Sequence, residues 1–343
     1  MADSAWPYAD DATPVLDRLT AQMQAIRDRQ IAVAADAPTR ALDDWEGMRE
    51  DYRIERAYWN DGGPDMASVD ADVIATEAGT VPVRYYRPTT APTAVDGAGM
   101  AEEGAGLPPV IVYTHGGGWI IGDLDTHDRI MRNLAHHTGA VVVGVDYSLS
   151  PEAKFPVPVN QCVGVIEHVV AQAADLGVDA STISFSGDSA GAYLALAATL
   201  ALAGKESPIS PSCLLLFYGI YGLEDSPARR LLGGPWDGMA RADLEFYWGA
   251  YLGQPEDMRH PYVDCLSGDL TAVPPTYLAA AELDPAKDDS YTLAALLTRL
   301  GTPVELTTFN GVLHGFLHYT RALDEATEAF VQAAAFYRTH IRD

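Results

Sequence analysis

Between Pro109 and the C-terminus, apolar runs of strand length alternate with amphipathic segments of helix length, and this alternation restricts the fold of the 343-residue chain more than any other feature. The strand-length runs read Val110–Thr114, Ala140–Asp146, Ile183–Ser186, Cys213–Tyr218, Thr276–Ala281 and Val304–Phe309. Parallel strands need long crossover connections, and a strand that is apolar almost throughout must be covered on both faces. The pattern therefore predicts an α/β domain around a central, mostly parallel sheet flanked by helices. Two shorter strands, about 72–77 and 81–87, are joined ahead of it by the turn signal Ala78-Gly79-Thr80.

Before and within this core lie segments of another kind. Val15, Leu19, Met23 and Ile26 recur at helical spacing and predict a helix over 13–31, with Thr13 as its cap and Pro14 at its first position. A second helix is expected from Arg40 to Trp59. Between Tyr221 and Pro274 the alternation breaks, and Trp236, Met239, Phe246, Tyr247, Trp248, Tyr251 and Leu252 sit among acidic residues and glycines. That stretch reads as a helical excursion pairing with the N-terminal helices as a cap. Residues 88–109, rich in Pro, Thr, Ala and Gly, read as an exposed insertion. The expected organisation is a cap segment over 1–70, core over 71–220, a second cap segment over 221–274 and core over 275–343. No repeat of the solenoid kind is visible.

Charge excludes some partners. The chain has 48 acidic against 22 basic side chains, a formal charge of −26, which disfavours nucleic acid and anionic membrane surfaces. Residues 1–75 hold 16 acids and 7 bases, so the excess is dispersed and serves solubility more than recognition. Only Lys154, Lys205 and Lys287 are lysines among the 22 basic residues. A salt-tolerant source and GC-rich coding both account for that bias. Cys162, Cys213 and Cys265 cannot all pair, and none has the spacing of a zinc or redox motif. The segment from Met1 to Asp11 lacks a basic, apolar secretory pattern, and the apolar stretch 190–204 is short for a bilayer. A cytoplasmic protein is expected; the sequence does not decide whether it is a homodimer.

The chemistry centres on Gly187-Asp188-Ser189-Ala190-Gly191, a G-x-S-x-G run between a strand and an alanine-rich helix. The turn is so sharp that a side chain two positions either side of the serine collides with backbone, hence glycine at both. Ser189 is expected at the carboxyl end of the sheet, with the helix N-terminus favouring negative charge beside it. A serine needs a base, and the base an orienting acid. His314 lies five residues past the last strand, in a loop at the same edge, and Asp284 follows the preceding strand. His318 is the competing base, but is expected inside the next helix; Asp288 and Asp289 are competing acids that read better as charges at a helix start. His115-Gly116-Gly117-Gly118-Trp119 follows the first core strand. Its glycine amides, with that of Ala190, are suited to hold an oxyanion, and no Gly-Lys-Ser/Thr follows to suggest a phosphate loop. His115 reads as structural.

With these motifs the chain resembles the hormone-sensitive-lipase group of α/β-hydrolases, and within it the bacterial acetyl esterases. The segments Gly122 to Arg132, Asp146 to Pro156, Arg229 to Gly234 and His314 to Tyr319 share in the resemblance, which covers about residues 70–340. It implies an α/β-hydrolase fold of eight strands with a helical cap, a triad of Ser189, Asp284 and His314, no metal or organic cofactor, and hydrolysis of small short-chain acyl esters. The chain departs from the family pattern at Asp284-Pro285-Ala286-Lys287, where larger residues usually follow the proline; looser packing under Asp284 is expected. Trp119, Asp188, Trp236, Phe246 and Tyr247 are candidate substrate contacts, with cap core as the alternative for most. The rival readings are a peptidase or amidase using the same triad, and a ligand-binding relative.

Overall fold

Strands β1 (Met66–Thr76) and β2 (Gly79–Pro88) form an antiparallel hairpin on the edge of the sheet, followed by β3 (Pro109–Thr114), β4 (Val141–Val145), β5 (Asp179–Asp188), β6 (Leu214–Phe217), β7 (Thr276–Ala281) and β8 (Val304–Phe309). In this computed structural model, which describes residues 13–35, 38–89, 106–205, 209–234 and 236–341, they make one eight-stranded sheet in the order β1-β2-β4-β3-β5-β6-β7-β8. From β4 to β8 every pairing is parallel, and β2 joins β4 antiparallel. This is the α/β-hydrolase sheet that the sequence implied.

The helices are α1 (Thr13–Leu16), α2 (Ala21–Ala35), α3 (Trp45–Asn60), α4 (Asp128–Thr138), α5 (Val157–Ala171), α6 (Ala173–Leu176), α7 (Ala190–Ala203), α8 (Pro227–Leu232), α9 (Arg241–Tyr251), α10 (Lys287–Leu300) and α11 (Asp324–His340). Alternation along β3 shows why its strand is apolar throughout. Val110 and Val112 face a core shared with Val159, Leu194 and Leu293 from α5, α7 and α10. Ile111 and Tyr113 face the opposite core with Leu134 of α4 and Phe330 of α11. Two buried layers follow from a period of two on a sheet covered on both sides.

The first predicted helix is corrected. It is two pieces, and α2 starts afresh because the Thr20 hydroxyl accepts the Met23 N–H at 3.1 Å while the Thr20 N–H is drawn to the Gly311 carbonyl at 2.9 Å. A side chain that caps one turn ends the turn before it. The first hairpin strand also begins earlier than expected, because its outer face is exposed and the chain shows no apolar alternation there. The expected insertion over 88–109 lies, for residues 90–105, outside the described residues.

Helix α3 meets α9, and α2 lines the same cavity as the segment carrying α8 and α9. Trp45 stacks on Phe246 with ring centroids 5.3 Å apart. Arg49 of α3 ties the cap to the core by donating to the carbonyls of Ile120 and Ser150, each at 2.9 Å. Among the described residues, no helix is long and apolar enough to cross a membrane.

Candidate active site

Strand β5 ends at Asp188, α7 begins at Ala190, and Ser189 between them has φ 52 and ψ −122. A Cβ on Gly187 would lie 2.4 Å from the Gly191 carbonyl carbon, and one on Gly191 would lie 2.0 Å from the Thr114 oxygen. The two glycines are therefore a steric requirement of the turn, as the motif predicts. The Ser189 hydroxyl lies 2.7 Å from Nε2 of His314, whose Nδ1 lies 2.8 Å from Oδ2 of Asp284. With Nδ1–H donated to the carboxylate, Nε2 is left to accept from the serine.

The loops carrying acid and base are joined to one another. The Glu282 and Leu283 amides donate to the carbonyls of Phe309 and Val312, at 2.8 Å and 3.1 Å. Asp284 is fully buried, and its Oδ1 accepts the Ala286 N–H at 2.7 Å. Leu283 and Ala286, on either side of the Asp284-Pro285 pair, are buried too. Burial pulls the His314 imidazole towards neutrality, but the adjacent Asp284 charge and hydrogen bond outweigh it and hold its pKa above the ordinary histidine value.

The glycine run separates into two functions. The Gly116 N–H donates to Asp188 Oδ1 at 2.8 Å, so it is removed from the set of oxyanion donors expected from the sequence. A Cβ on Gly116 would sit 2.5 Å from the other Asp188 oxygen. Gly117 and Gly118, with φ of 112 and 57, line the cavity with Ser189, and their amides and that of Ala190 take no acceptor among the described residues. Asp188 also accepts from the hydroxyls of Tyr113 and, at 3.3 Å, Tyr218. It braces the loop through these bonds, although it lies in the cavity wall. His115 is buried, stacks on Tyr147 at 4.3 Å and directs Nδ1 to the Gly116 carbonyl at 2.8 Å.

A cavity of about 380 Å³ opens onto Ser189 and His314. Trp236 and Tyr247 line it. Trp119 and Phe246 do not, which corrects their candidacy: Trp119 is fully buried against Tyr193, Trp248 and Tyr251, and Phe246 is taken by Trp45. An indole beside a glycine loop packs inward when other rings enclose it. Asp289 is also more than a helix-start charge. It is buried, pairs with Arg229 at 2.7 Å and accepts the Tyr221 N–H at 2.7 Å, fastening the start of the cap excursion to α10. His318 lies in a 3₁₀ turn, Phe316–Tyr319, and not in a long helix.

Sequence reading missed Asp237, Arg27, Arg56 and Tyr52, all of which line the cavity. Asp237 is pushed up to about 8 by burial and by the Asp284 charge. Its only signal in the sequence was an acid between a tryptophan and a glycine. One further cluster has ligating atoms: His127, Asp188 and His318 lie within 4.8 Å of one another. Asp188 is already engaged by Gly116 and Tyr113, and the Arg56 charge bears on both histidines, so a cation there would compete with existing bonds.

Comparison with known proteins agrees with this geometry. A family model described as alpha/beta hydrolase fold matches residues 111–318. The chain belongs to the α/β-hydrolase fold family. Within it the hydrolase falls in the hormone-sensitive-lipase-like group. It is similar to a hyperthermophilic esterase from the archaeon Pyrobaculum calidifontis, at 31% identity over 94% of this chain and 98% of that one, with a TM-score of 0.82. An ester-hydrolase from the metagenome of Lake Arreo is 28% identical over 94% of this hydrolase and 99% of its own chain, with a TM-score of 0.82. A thermostable carboxylesterase cloned from a metagenomic library is 27% identical over 88% and 98%, with a TM-score of 0.80.

Proposed function

We propose that this hydrolase is a serine carboxylesterase that cleaves short-chain acyl esters, from acetyl to about butyryl or hexanoyl, through an acyl-enzyme. The observation that carries the reading is the pair of hydrogen bonds at 2.7 Å and 2.8 Å linking Ser189, His314 and Asp284. Neutral His314 takes the Ser189 proton at Nε2 as Oγ attacks the ester carbonyl carbon. Asp284 stays ionised, holds the ring by Nδ1–H and stabilises the imidazolium. The carbonyl oxygen, now an anion, is met by the amides of Gly117, Gly118 and Ala190, in a site whose dipoles are already oriented. As the tetrahedral intermediate collapses, the bond to the alcohol oxygen breaks and His314 returns its proton to that oxygen. Water then repeats the sequence on the acyl-enzyme and releases the acid.

The short acyl range is supported by the cavity's size and by Met239, Trp236 and Tyr247 in its wall. Each methylene that fits contributes only ~1–3 kcal/mol, so a gradual optimum is expected. Three buried, unpaired cysteines support a reducing, cytoplasmic setting. A series of p-nitrophenyl esters from acetyl to decanoyl tests the range, and a maximum at the long end overturns it. Ser189→Ala tests the mechanism: a loss of up to about 10⁶-fold in kcat is expected, and a rate near wild type rejects it. Comparing matched esters and amides separates this reading from a peptidase.

A further inference from the structure

The cavity that holds Ser189 and His314 is not apolar throughout. Arg27 and Gln30 of α2 and Arg56 of α3 line it from the cap side. The two arginines differ in their partners. Arg56 donates to the Tyr319 hydroxyl at 3.0 Å, lies 3.1 Å from Oε2 of Glu55, and stands 4.8 Å from the centre of the Tyr52 ring. Glu55 is itself held by Gln30 at 3.3 Å and Trp59 at 3.0 Å, so its charge is fixed against that of Arg56. Arg27 has no such counterpart. It makes no hydrogen bond or ion pair among the described residues, whereas both arginines have a buried Nε that takes no hydrogen-bond acceptor there.

Arg27 is half-buried in the cavity wall, and its terminal nitrogens are left to meet an acceptor that enters the cavity, where a hydrogen bond to a charged group contributes more than one between neutral groups. The acceptor that a guanidinium fits best is a carboxylate, through two parallel bonds. Long-range attraction does not explain such a cation, because a chain of net charge −26 repels anions outside it. The effect of Arg27 must be local. Burial pushes Asp237 in the same wall up to about 8, which weakens the opposing charge it presents at neutral pH, and its Oδ2 has no hydrogen-bond partner among the described residues.

We infer that the cavity selects esters that carry a carboxylate away from the scissile bond, with Arg27 as the residue that recognises it. The inference rests on the ester-cleaving role of Ser189 and His314 and names the class of substrate that role serves. The test uses two matched pairs. In one the acid is on the acyl side: the 4-nitrophenyl monoester of glutaric acid against 4-nitrophenyl hexanoate. In the other it is on the alcohol side: 4-acetoxybenzoate against its methyl ester. In at least one pair kcat/KM is expected to favour the acid, and Arg27→Gln to lower the acid-to-neutral ratio about tenfold or more, through KM. Arg27→Lys should restore part of the ratio, and rising NaCl should erode it in wild type. Preference for the neutral ester in both pairs, or a ratio that Arg27→Gln leaves unmoved, overturns the inference while neutral esters are still cleaved. Failure to cleave any of the four esters overturns the ester-cleaving reading itself.

Discussion

Two groupings of the same residue types, each with one histidine in the cavity wall, shift their histidines in opposite directions. In one, His314 gives its Nδ1–H to Asp284 at 2.8 Å, and the pKa of the ring rises. In the other, His127 Nε2 is 3.6 Å from Asp188 Oδ1, beyond a hydrogen bond, and His318 has only a long 3.5 Å contact with the Tyr52 hydroxyl. Burial, with the Arg56 charge adding to it, drives both of these histidines well below the ordinary value. His127 and His318 are buried and the His314 side chain is only 11% exposed, so withdrawal from solvent alone does not make a base. The difference is a carboxylate oxygen free to accept: Asp284 reserves one for the ring, whereas those of Asp188 are taken by Gly116, Tyr113 and Tyr218.

Asp284→Asn attacks the comparison where it is strongest. Without the carboxylate the imidazole loses its orienting acceptor, and kcat should fall by about 10⁴-fold. The pH profile gives the sign. In the proposed mechanism His314 acts only when neutral, and its pKa is raised in the wild type, so kcat/KM should fall, as pH drops, through a midpoint above the ordinary 6.5. In Asp284→Asn the residual activity should persist to lower pH. An unchanged midpoint would mean that Asp284 does not set the titration of the base.

Asp237→Asn makes a smaller change, read in stability. The folded protein holds the Asp237 proton up to about 8 against 3.8 for the free side chain, so folding binds a proton and stability must decline as pH rises between those values. The Asn variant should lose that part of the decline, measured as urea midpoints at pH 5 and pH 8. A parallel decline in both proteins would show that Asp237 is ionised in the native state. His318→Gln should have the least effect, well short of the ~10²-fold that loss of a general base costs. Its acid midpoint should match wild type; a larger loss would make His318 part of the proton path.

The parallel sheet and the Ser-Asp-His order were legible because each rests on local pattern. Apolar runs such as Cys213–Tyr218 state burial on both faces, and Gly187 and Gly191 state a turn that no side chain tolerates. Thr20 was read as part of one long helix, since its acceptor role becomes visible only when the Met23 amide is placed against it. Trp119 looked like a pocket residue because its neighbours in sequence are the glycines proposed to hold the oxyanion, yet its neighbours in space are Tyr193, Trp248 and Tyr251. The sequence by itself determined the order of the strands along the chain, the elbow and the three residues that meet there. Only the tertiary structure decided that Gly116 gives its amide to Asp188 while those of Gly117 and Gly118 stay free, and that Arg27 lines the cavity with no hydrogen bond or ion pair among the described residues. Each depends on which groups far apart in the chain come to lie beside one another, and no spacing in the sequence records that.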